Sequence, residues 1–228
     1  MTPAATSAIV GPNRAVMPRI RVLLADDHTL VAEGLRSLLK DSFDLVGVAH
    51  DGRELLEMAA KLRPDVIVTD ISMPLLNGID AVRQIRAERP ETRIIILTMH
   101  RDTHLAASAF RAGVSGYLLK VSPAEELMNA IREVAQGRSY VTTLLAKDLI
   151  NLLMDTGAAR ENQSPLTPRQ REVLQLIAEG RTMKEVATVL NISPRTAESH
   201  KYDIMQALSV QTTAELVQCA VRMRLVGE

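Results

Sequence analysis

Acidic residues follow two short apolar runs of this 228-residue chain, at the points where those runs stop. Asp26 and Asp27 follow RVLLA, and Asp70 follows VIVT, a run that Pro74 and Gly78 cannot easily continue. Because parallel strands bring their carboxyl ends to one edge of a sheet, we expect these carboxylates to lie close together. Clustered carboxylates repel one another unless a cation lies between them, and hard oxygen ligands suit Mg²⁺. The pattern predicts a Mg²⁺ site that contains a carboxylate nucleophile.

Two later apolar runs end at side chains that can bind an anionic group. Thr98 ends RIIILT, and Lys120 follows GYLL, the run that contains Tyr117. Taken singly, each of these residues fits a solvated strand end or an ordinary surface position. Their shared position at strand ends instead favours one common site, where a hydroxyl and an ammonium would stabilise charge added at Asp70.

The elements that must position these residues alternate along the chain. The predicted strands cover residues 20–25, 45–49, 66–69, 93–98 and 116–119, and the predicted helices cover residues 30–40, 52–62, 79–88, 103–112 and 123–136. Within the helices, apolar residues recur at a spacing near 3.6. Strand and helix alternating in this way imply right-handed crossovers and a doubly wound, five-stranded parallel α/β sheet of the flavodoxin-like kind.

The stretch from Ile20 to Gly137 resembles the receiver domain of two-component response regulators, in the motifs LLADDH, VTDISMP, IIILT and GYLLK. The resemblance implies that Asp70 is the phosphoacceptor and that a sensor histidine kinase supplies the phosphoryl group. It implies that Asp26 and Asp27 bind Mg²⁺ and that the backbone carbonyl of Ser72 is a further ligand of the ion. It further implies a set of switch residues around the phosphoryl group, namely Thr98, Tyr117 and Lys120. By the same resemblance, His100 lies where family members vary their dephosphorylation rate.

Beyond residue 137 the pattern changes. Residues 140–154 are predicted to form an amphipathic helix, residues 155–165 have linker composition, and a second domain is predicted from Ser164. It contains four short helical segments, at residues 168–179, 183–190, 194–208 and 213–225. These are too small to enclose a catalytic pocket but sufficient for a binding module, and the tight turn after residue 190 is typical of a helix-turn-helix.

On the predicted helix 194–208, Ala197, Ile204 and Leu208 form the core face. The opposite face would contact DNA and consists of Arg195, Glu198, Ser199, Tyr202 and Gln206. From residue 164 onward the chain carries eight Lys and Arg against seven Asp and Glu, so charge alone leaves DNA binding open. An ordinary helical bundle with a solvated polar face is the alternative.

Residues 166–225 resemble the LuxR-type helix-turn-helix in LTPRQREVL, KEVA, ISPRTAESH and TAELV, and the domain order resembles the NarL/FixJ subfamily of response regulators. The resemblance implies that Glu198, Ser199 and Tyr202 contact the edges of the DNA bases. It also implies that a further set of residues contacts the DNA backbone or supports the recognition helix, namely Lys184, Arg195, Thr196, His200 and Lys201. Glu198 and Ala207 stand where family members often have Lys, which lowers the expected affinity for phosphate.

Composition bounds the remaining questions. The 27 Lys and Arg balance 27 Asp and Glu, and the one cysteine, Cys219, excludes an internal disulfide and is predicted to be a packing residue. No apolar run approaches the ~20 residues of a membrane span, which predicts a soluble, cytoplasmic protein. The expected domains are a disordered extension (1–18), a receiver domain (19–138), a helical segment with a linker (139–163) and a DNA-binding domain (164–228).

These features together predict a non-enzymatic transcription regulator that catalyses only its own phosphotransfer and dephosphorylation. Phosphorylation at Asp70 with Mg²⁺ would switch it to a homodimer that binds promoter DNA at paired half-sites. The alternative is a receiver-type signalling protein that acts through protein contacts and whose second domain has weakened or lost DNA binding. An enzyme of small-molecule metabolism is a more distant alternative, because no sequence motif indicates a substrate pocket near the acidic residues.

Overall fold

The computed structural model describes residues 19–154 and 165–226. The strands are β1 (Arg21–Ala25), β2 (Asp44–Ala49), β3 (Val66–Thr69), β4 (Arg93–Thr98), β5 (Gly116–Leu119) and β6 (Tyr140–Val141). The helices of the first domain are α1 (Thr29–Leu39), α2 (Gly52–Leu62), α3 (Gly78–Glu88), α4 (Thr103–Ala112), α5 (Ala124–Ala135) and α6 (Thr143–Met154). The helices of the second domain are α7 (Pro168–Ala178), α8 (Met183–Val189), α9 (Pro194–Leu208) and α10 (Thr213–Arg222).

The first domain is built on one parallel sheet with the strand order β2-β1-β3-β4-β5-β6. The predicted doubly wound parallel α/β fold is therefore confirmed. In the β1–β3 pair, Ala25 lies opposite Thr69, and the amide of Asp70 donates a hydrogen bond to the carbonyl of Ala25 at 2.9 Å. This register brings Asp26 and Asp70 side by side at the carboxyl edge of the sheet.

Apolar layers cover both faces of the sheet. Helices α2, α3 and α4 pack on one face, where Leu55 and Val82 are fully buried, and α1 and α5 pack on the other through Leu39 and Ile131. Because helices cover both faces, β3 is a continuous run of buried residues in which apolar and polar side chains do not alternate. The central strands are thereby buried between two layers of helices.

The prediction of five strands is wrong by one, because Tyr140 and Val141 form the short edge strand β6. They pair in parallel with Gly116 and Tyr117 of β5, and α6 begins only at Thr143. A strand of this length is too short to show alternation, so its apolar residues look like the first turn of the helix that follows. Helix α6 then packs against α4 and buries Leu145 and Leu149 in the layer over the sheet.

The second domain is a small helical unit with well-marked helix starts. Capping boxes begin three of its helices, formed by Thr167 with Gln170, Thr182 with Glu185 and Thr212 with Glu215. Its core includes Val173, Leu176, Val186 and Leu216, and the predicted core residues Ala197 and Ile204 are fully buried, whereas Leu208 is half-buried. Helices α8 and α9 form the helix-turn-helix pair.

Several remaining expectations concern the ends and the linker. The proposed disordered extension (1–18) and most of the proposed linker, residues 155–164, lie outside the described residues. Cys219 is buried, as expected of a packing residue. Within residues 19–154 and 165–226, no helix has both the length and the apolar character that crossing a membrane requires.

Candidate functional site

Three carboxylates meet at the carboxyl edge of the sheet. Asp26 and Asp70 are almost completely buried, with 2% and 5% of their surface exposed, and Asp27 is partly exposed beside them. One oxygen from each of these carboxylates and a ring nitrogen of His28 all lie within 4.8 Å of one another. The acids that the sequence places at two strand ends thus form one cluster, and His28, which directly follows the acidic pair and carried no predicted role, lies beside them.

Lys120 neutralises part of this cluster. Its ammonium nitrogen lies 2.7 Å from an oxygen of Asp26 and 2.7 Å from an oxygen of Asp70. Burial alone would lower the pKa of Lys120, but the hydrogen bonds and charges of Asp26 and Asp70 outweigh it and raise the pKa. The lysine at the end of β5 is therefore held as a cation against the two buried acids.

The oxygen atoms of the cluster fit a hard divalent cation. Oδ1 of Asp27 is buried and makes no hydrogen bond, although it lies 2.9 Å from Nδ1 of His28. A buried carboxylate oxygen without a hydrogen bond, beside two further acids, is an environment that a metal ion would satisfy, and the carboxylate oxygens suit Mg²⁺. Asp26, Asp27 and Asp70 are the side chains that could hold it, and the Ser72 backbone lies in the adjoining loop.

The predicted switch residues surround the same edge. Thr98 is buried at the end of β4, and its hydroxyl lies 3.4 Å from the amide of His100 as an acceptor. Tyr117 is fully buried and donates a hydrogen bond from its hydroxyl to the carbonyl of His100 at 3.2 Å. Burial, reinforced by the charge of Asp102, raises the pKa of Tyr117 far above its ordinary value, so the ring stays a neutral donor. Ser72 completes the group, with Oγ 3.3 Å from Nε2 of His100.

The loop after Asp70 is tightly folded onto its own start. The amide of Ile71 donates to Oδ1 of Asp70 at 2.6 Å, and the amide of Gly78 donates to the carbonyl of Ile71 at 2.8 Å. A Cβ on Gly78 would lie 2.0 Å from the carbonyl oxygen of Asp70, so only glycine permits this approach of α3 to the strand end. The position of the carboxylate thus depends on the conformation of residues 71–78.

The predicted DNA-contacting residues lie elsewhere, on an exposed face of the second domain. The exposed members are Lys184 on α8 and, on α9, Arg195, Thr196, Glu198, Ser199 and Tyr202, while His200 and Lys201 are half-buried. Ser193 caps α9 by accepting from the amide of Thr196 at 3.0 Å, and Gln206 donates to the Tyr202 hydroxyl at 3.0 Å. This surface can offer hydroxyl, carboxylate and cationic groups to a nucleic acid groove.

A third group of polar residues joins the two domains and was not predicted. Glu172 and Gln175 of α7 are buried, with 6% and 0% of their surface exposed, and Glu172 accepts a hydrogen bond from the side chain of Gln84 in the first domain at 2.9 Å. The side-chain oxygen of Gln175 accepts from the amide of Asn77 at 2.8 Å. Four polar residues share this contact, namely Arg171, Glu172 and Gln175 of α7 and Glu179, which directly follows the helix. Their spacing along one side of a helix was the available signal.

Ion pairs frame this contact. Arg171 donates to Asp80 through Nη2 at 2.7 Å and through Nε at 3.0 Å, and Arg83 binds the same carboxylate at 2.6 Å. Burial would raise the pKa of Asp80, but the hydrogen bonds and charge of Arg171, with Asn77 and Arg83, outweigh it and lower the pKa. Glu172 pairs with Arg53 across the domains. The domain contact is thus built on paired charges, although the buried Nε of Arg53 makes no hydrogen bond.

Comparison with known proteins agrees with both halves of this arrangement. The family described as response regulator receiver domain matches residues 22–132, and the family described as bacterial regulatory proteins, luxR family, matches residues 164–220. The chain is 37% identical over 213 residues to the transcriptional regulatory protein MctR of Rhizobium johnstonii, covering 92% of this chain and 97% of that protein. It is 36% identical over 216 residues to the oxygen regulatory protein NreC of Staphylococcus epidermidis, covering 91% of this chain and 99% of that protein.

Among solved structures, a structure of the Salmonella typhimurium RcsB response regulator matches with a TM-score of 0.59 at 29% identity, covering 89% of this chain and 96% of that one. RcsB has also been solved as a complex with DNA. The matches extend over both domains and over nearly the whole length of these relatives. The chain therefore belongs to the response regulators of the NarL/FixJ type, in which a receiver domain precedes a LuxR-type DNA-binding domain.

Proposed function

We propose that this response regulator is a phosphorylation-dependent transcription regulator in which Asp70 accepts a phosphoryl group from a sensor histidine kinase. The observation that carries the proposal is the convergence of Asp26, Asp27 and Asp70 with the Lys120 ammonium at one edge of the sheet. A carboxylate can attack a phosphorus centre only where the repulsion between the two anions is offset, and this cluster supplies positive charge at that point.

In the proposed reaction, an oxygen of Asp70 forms a bond to phosphorus as the bond from phosphorus to the donor's imidazole nitrogen breaks. Mg²⁺, held by Asp26, Asp27, Asp70 and the Ser72 carbonyl, would neutralise charge on the phosphoryl oxygens. Lys120 already contacts Asp70 at 2.7 Å and would bind the transferred group. The hydroxyl of Thr98, at the next strand end, would donate to a phosphoryl oxygen, and Tyr117 would follow the movement of that strand end.

The second half of the proposal concerns DNA. The exposed face of α9 and the basic Lys184 support binding in a major groove, and the kinship with RcsB, which has been solved with DNA, supports the same role. Two phosphorylated copies would form a homodimer that binds paired half-sites of a promoter. A cytoplasmic location would give the chain access to both the kinase and the genome.

The test is a mobility-shift assay with genomic fragments, using the full chain with and without acetyl phosphate. Acetyl phosphate and Mg²⁺ should increase the fraction of DNA bound by the wild type but not by Asp70→Asn. Asp44→Asn is the matched control, because Asp44 is exposed at the start of β2, far from the cluster, and should leave the response intact. A response that persists in Asp70→Asn would contradict the assignment, and phosphorylation without any DNA binding would favour a regulator that acts through protein contacts.

A further inference from the structure

A cleft of about 840 Å³ lies between the two domains. One wall is formed by the start of α3 and by α4 with its N-cap, and the other by α10 and the residues that directly follow it. The residues of the acidic cluster do not line this cleft. Concave sites of roughly 300–1,000 Å³ at domain boundaries are common places for small ligands to bind. The cleft is therefore a second candidate site, separate from the carboxyl edge of the sheet.

Part of the cleft is apolar. Leu105 of α4 and Leu208 at the end of α9 are half-buried and line it, together with the buried Leu225 that follows α10. Ser108, one turn of α4 beyond Leu105, is a small residue in the same wall. These side chains can cover the apolar body of an organic molecule, and the small serine leaves room for it.

The rest of the lining carries more positive than negative charge. Four arginines and two acids line the cleft, namely Arg83, Arg171, Arg222, Arg224, Asp80 and Asp102. Asp80 is bound by both Arg83 and Arg171, at 2.6 and 2.7 Å, and Asp102 is bound by Arg224 at 2.6 Å. With His104 counted as neutral, two positive charges remain in excess. The cleft therefore favours an anion over a neutral or cationic ligand.

Arg222 is the arginine best placed to bind that anion. Within the part of the chain that the structure describes, it pairs with no carboxylate, and its Nη2 lies 2.9 Å from Sγ of Cys219. Sulfur is a weak acceptor, so this contact satisfies little of the guanidinium. A guanidinium presents its N–H groups in a planar fork that matches the two oxygens of a carboxylate. The geometry and the charge together indicate an organic acid.

We propose that this cleft binds a small organic carboxylate with an aromatic or branched aliphatic body. Arg222 would bind the carboxylate, and the wall around Leu105 and Leu225 would cover the body. The inference does not depend on phosphorylation of Asp70, because the acidic cluster contributes nothing to the cleft. Since both domains supply its walls, the ligand would bind the docked arrangement of the domains and stabilise it by mass action.

The test is isothermal titration calorimetry of the full chain with naphthoate, an aromatic carboxylate. Naphthalenemethanol keeps the rings without the charge, and acetate keeps the charge without the rings, so each should bind at least about tenfold more weakly than naphthoate. Arg222→Gln should weaken the binding of naphthoate about tenfold, as expected for the loss of hydrogen bonds between charged groups, and leave that of naphthalenemethanol unchanged. Arg138→Gln is the matched control, since Arg138 is exposed and pairs with Glu133 far from the cleft.

A second variant tests the location without removing a charge. Ser108→Phe should fill the cleft and abolish binding of naphthoate. Cys219, the one cysteine of the chain, also lines the cleft, so its alkylation by the neutral reagent iodoacetamide reports on occupancy. Saturating naphthoate should slow this alkylation in the wild type and in Arg138→Gln but not in Ser108→Phe.

Melting curves by circular dichroism identify a variant that fails to fold, and the other variant then carries the comparison with the wild type. Three results would each overturn the inference. These are the absence of naphthoate binding to the wild type, equal affinities for naphthoate and naphthalenemethanol, and alkylation of Cys219 at the same rate with and without bound naphthoate.

Discussion

Arg171 of the DNA-binding domain donates two hydrogen bonds to Oδ1 of Asp80 in the receiver domain, from Nη2 at 2.7 Å and from Nε at 3.0 Å. Asp80 lies in the first turn of α3, three residues beyond the end of the loop that Gln175 and Glu179 hold, and only 3% of its surface is exposed. A buried carboxylate depends strongly on its ionic partners, so this pair is a sensitive point of the domain contact.

Removing the guanidinium should therefore weaken docking. Arg171→Ala leaves Asp80 with Arg83 and Asn77 only, and we expect the docked form to lose about 3 kcal/mol, the lower end of the cost of breaking a buried ion pair. Amide hydrogen exchange at Leu75 and Asn77 measures this loss, since both amides are covered by α7. Arg36→Ala removes an exposed arginine that pairs loosely with Glu33, at 3.5 Å, and should leave exchange at these amides unchanged. Unchanged exchange in Arg171→Ala would show that the pair contributes nothing to docking.

Glu179 should make docking dependent on pH. Burial raises the pKa of Glu179 above its ordinary 4.5, against the lowering effects of the Gln175 and Leu75 hydrogen bonds and of Arg181, and Asp51 adds to the rise. A group whose pKa is raised in the folded state contributes stability that is fully present below its ordinary pKa and lost as the pH rises through the raised value. Docking should thus weaken as the pH rises above 4.5 through that raised pKa.

Glu179→Gln tests this dependence, because an amide oxygen can still accept from both Gln175 and the Leu75 amide. The variant should remain docked at higher pH and lose this part of the pH dependence, as measured by thermal unfolding between about pH 5 and 8. Glu215→Gln provides a control of opposite sign, since hydrogen bonds from the amides of Gln211 and Thr212 lower the pKa of that exposed carboxyl. Identical pH profiles for the wild type and Glu179→Gln would contradict the assigned role.

Asp27 should change the stability of the receiver domain in opposite directions with and without metal. Without Mg²⁺, Asp27→Ala removes a buried oxygen that makes no hydrogen bond and one of three neighbouring charges, which should stabilise the fold by about 1 kcal/mol. With Mg²⁺, the wild type gains stability by binding the ion, and the variant should lose that gain. Thermal melts across a Mg²⁺ series measure both effects, with Asp44→Ala as the exposed control. A variant that keeps the full response to Mg²⁺ would remove Asp27 from the metal site.

Thr98→Ala should separate phosphorylation from its consequences. The variant keeps Asp26, Asp27, Asp70 and Lys120, so acetyl phosphate should still label it. It lacks the hydroxyl that is proposed to donate a hydrogen bond to the phosphoryl group. Sedimentation of the labelled protein should then show less dimer than the labelled wild type. Thr92→Ala removes a buried threonine near the opposite end of β4 and serves as the matched control. Equal dimerisation of labelled Thr98→Ala and wild type would refute the coupling.

Two variants on the exposed faces of α8 and α9 have different expected effects on DNA binding. Lys184→Ala should weaken binding to all DNA sequences alike. It should also reduce the dependence of affinity on salt concentration by the equivalent of about one phosphate contact. Lys147→Ala on α6 is the control and should change neither quantity. Glu198→Ala should change which base is preferred, by about 1–3 kcal/mol at one position, because a carboxylate accepts from the amino group of cytosine and is repelled by phosphate. Binding to matched and mismatched sites across a salt series distinguishes the two. Uniformly tighter binding by Glu198→Ala would exclude base reading by that residue.

Much of the fold and the acidic cluster could be predicted because both follow from local patterns. Short β-branched runs such as VIVT predict buried strands, and the edge to which parallel strands deliver Asp26 and Asp70 is fixed by the topology. Strand β6 was missed because Tyr140 and Val141 carry no periodicity of their own. The face of α7 was missed for another reason. Polar residues such as Gln175 opposite an apolar stripe normally mark a solvated surface, and periodicity does not tell water from the polar surface of another domain.

The exposure of α9 in the docked chain has a consequence for the order of events. The receiver domain holds the DNA-binding domain through α7 and leaves Glu198, Ser199 and Tyr202 open to solvent. If this face binds DNA as proposed, we expect a single copy to slide and hop along DNA by non-specific charge contacts before any signal arrives. What the signal would then change is residence time, since a second copy arriving at the adjacent half-site doubles the contacts that must break at once.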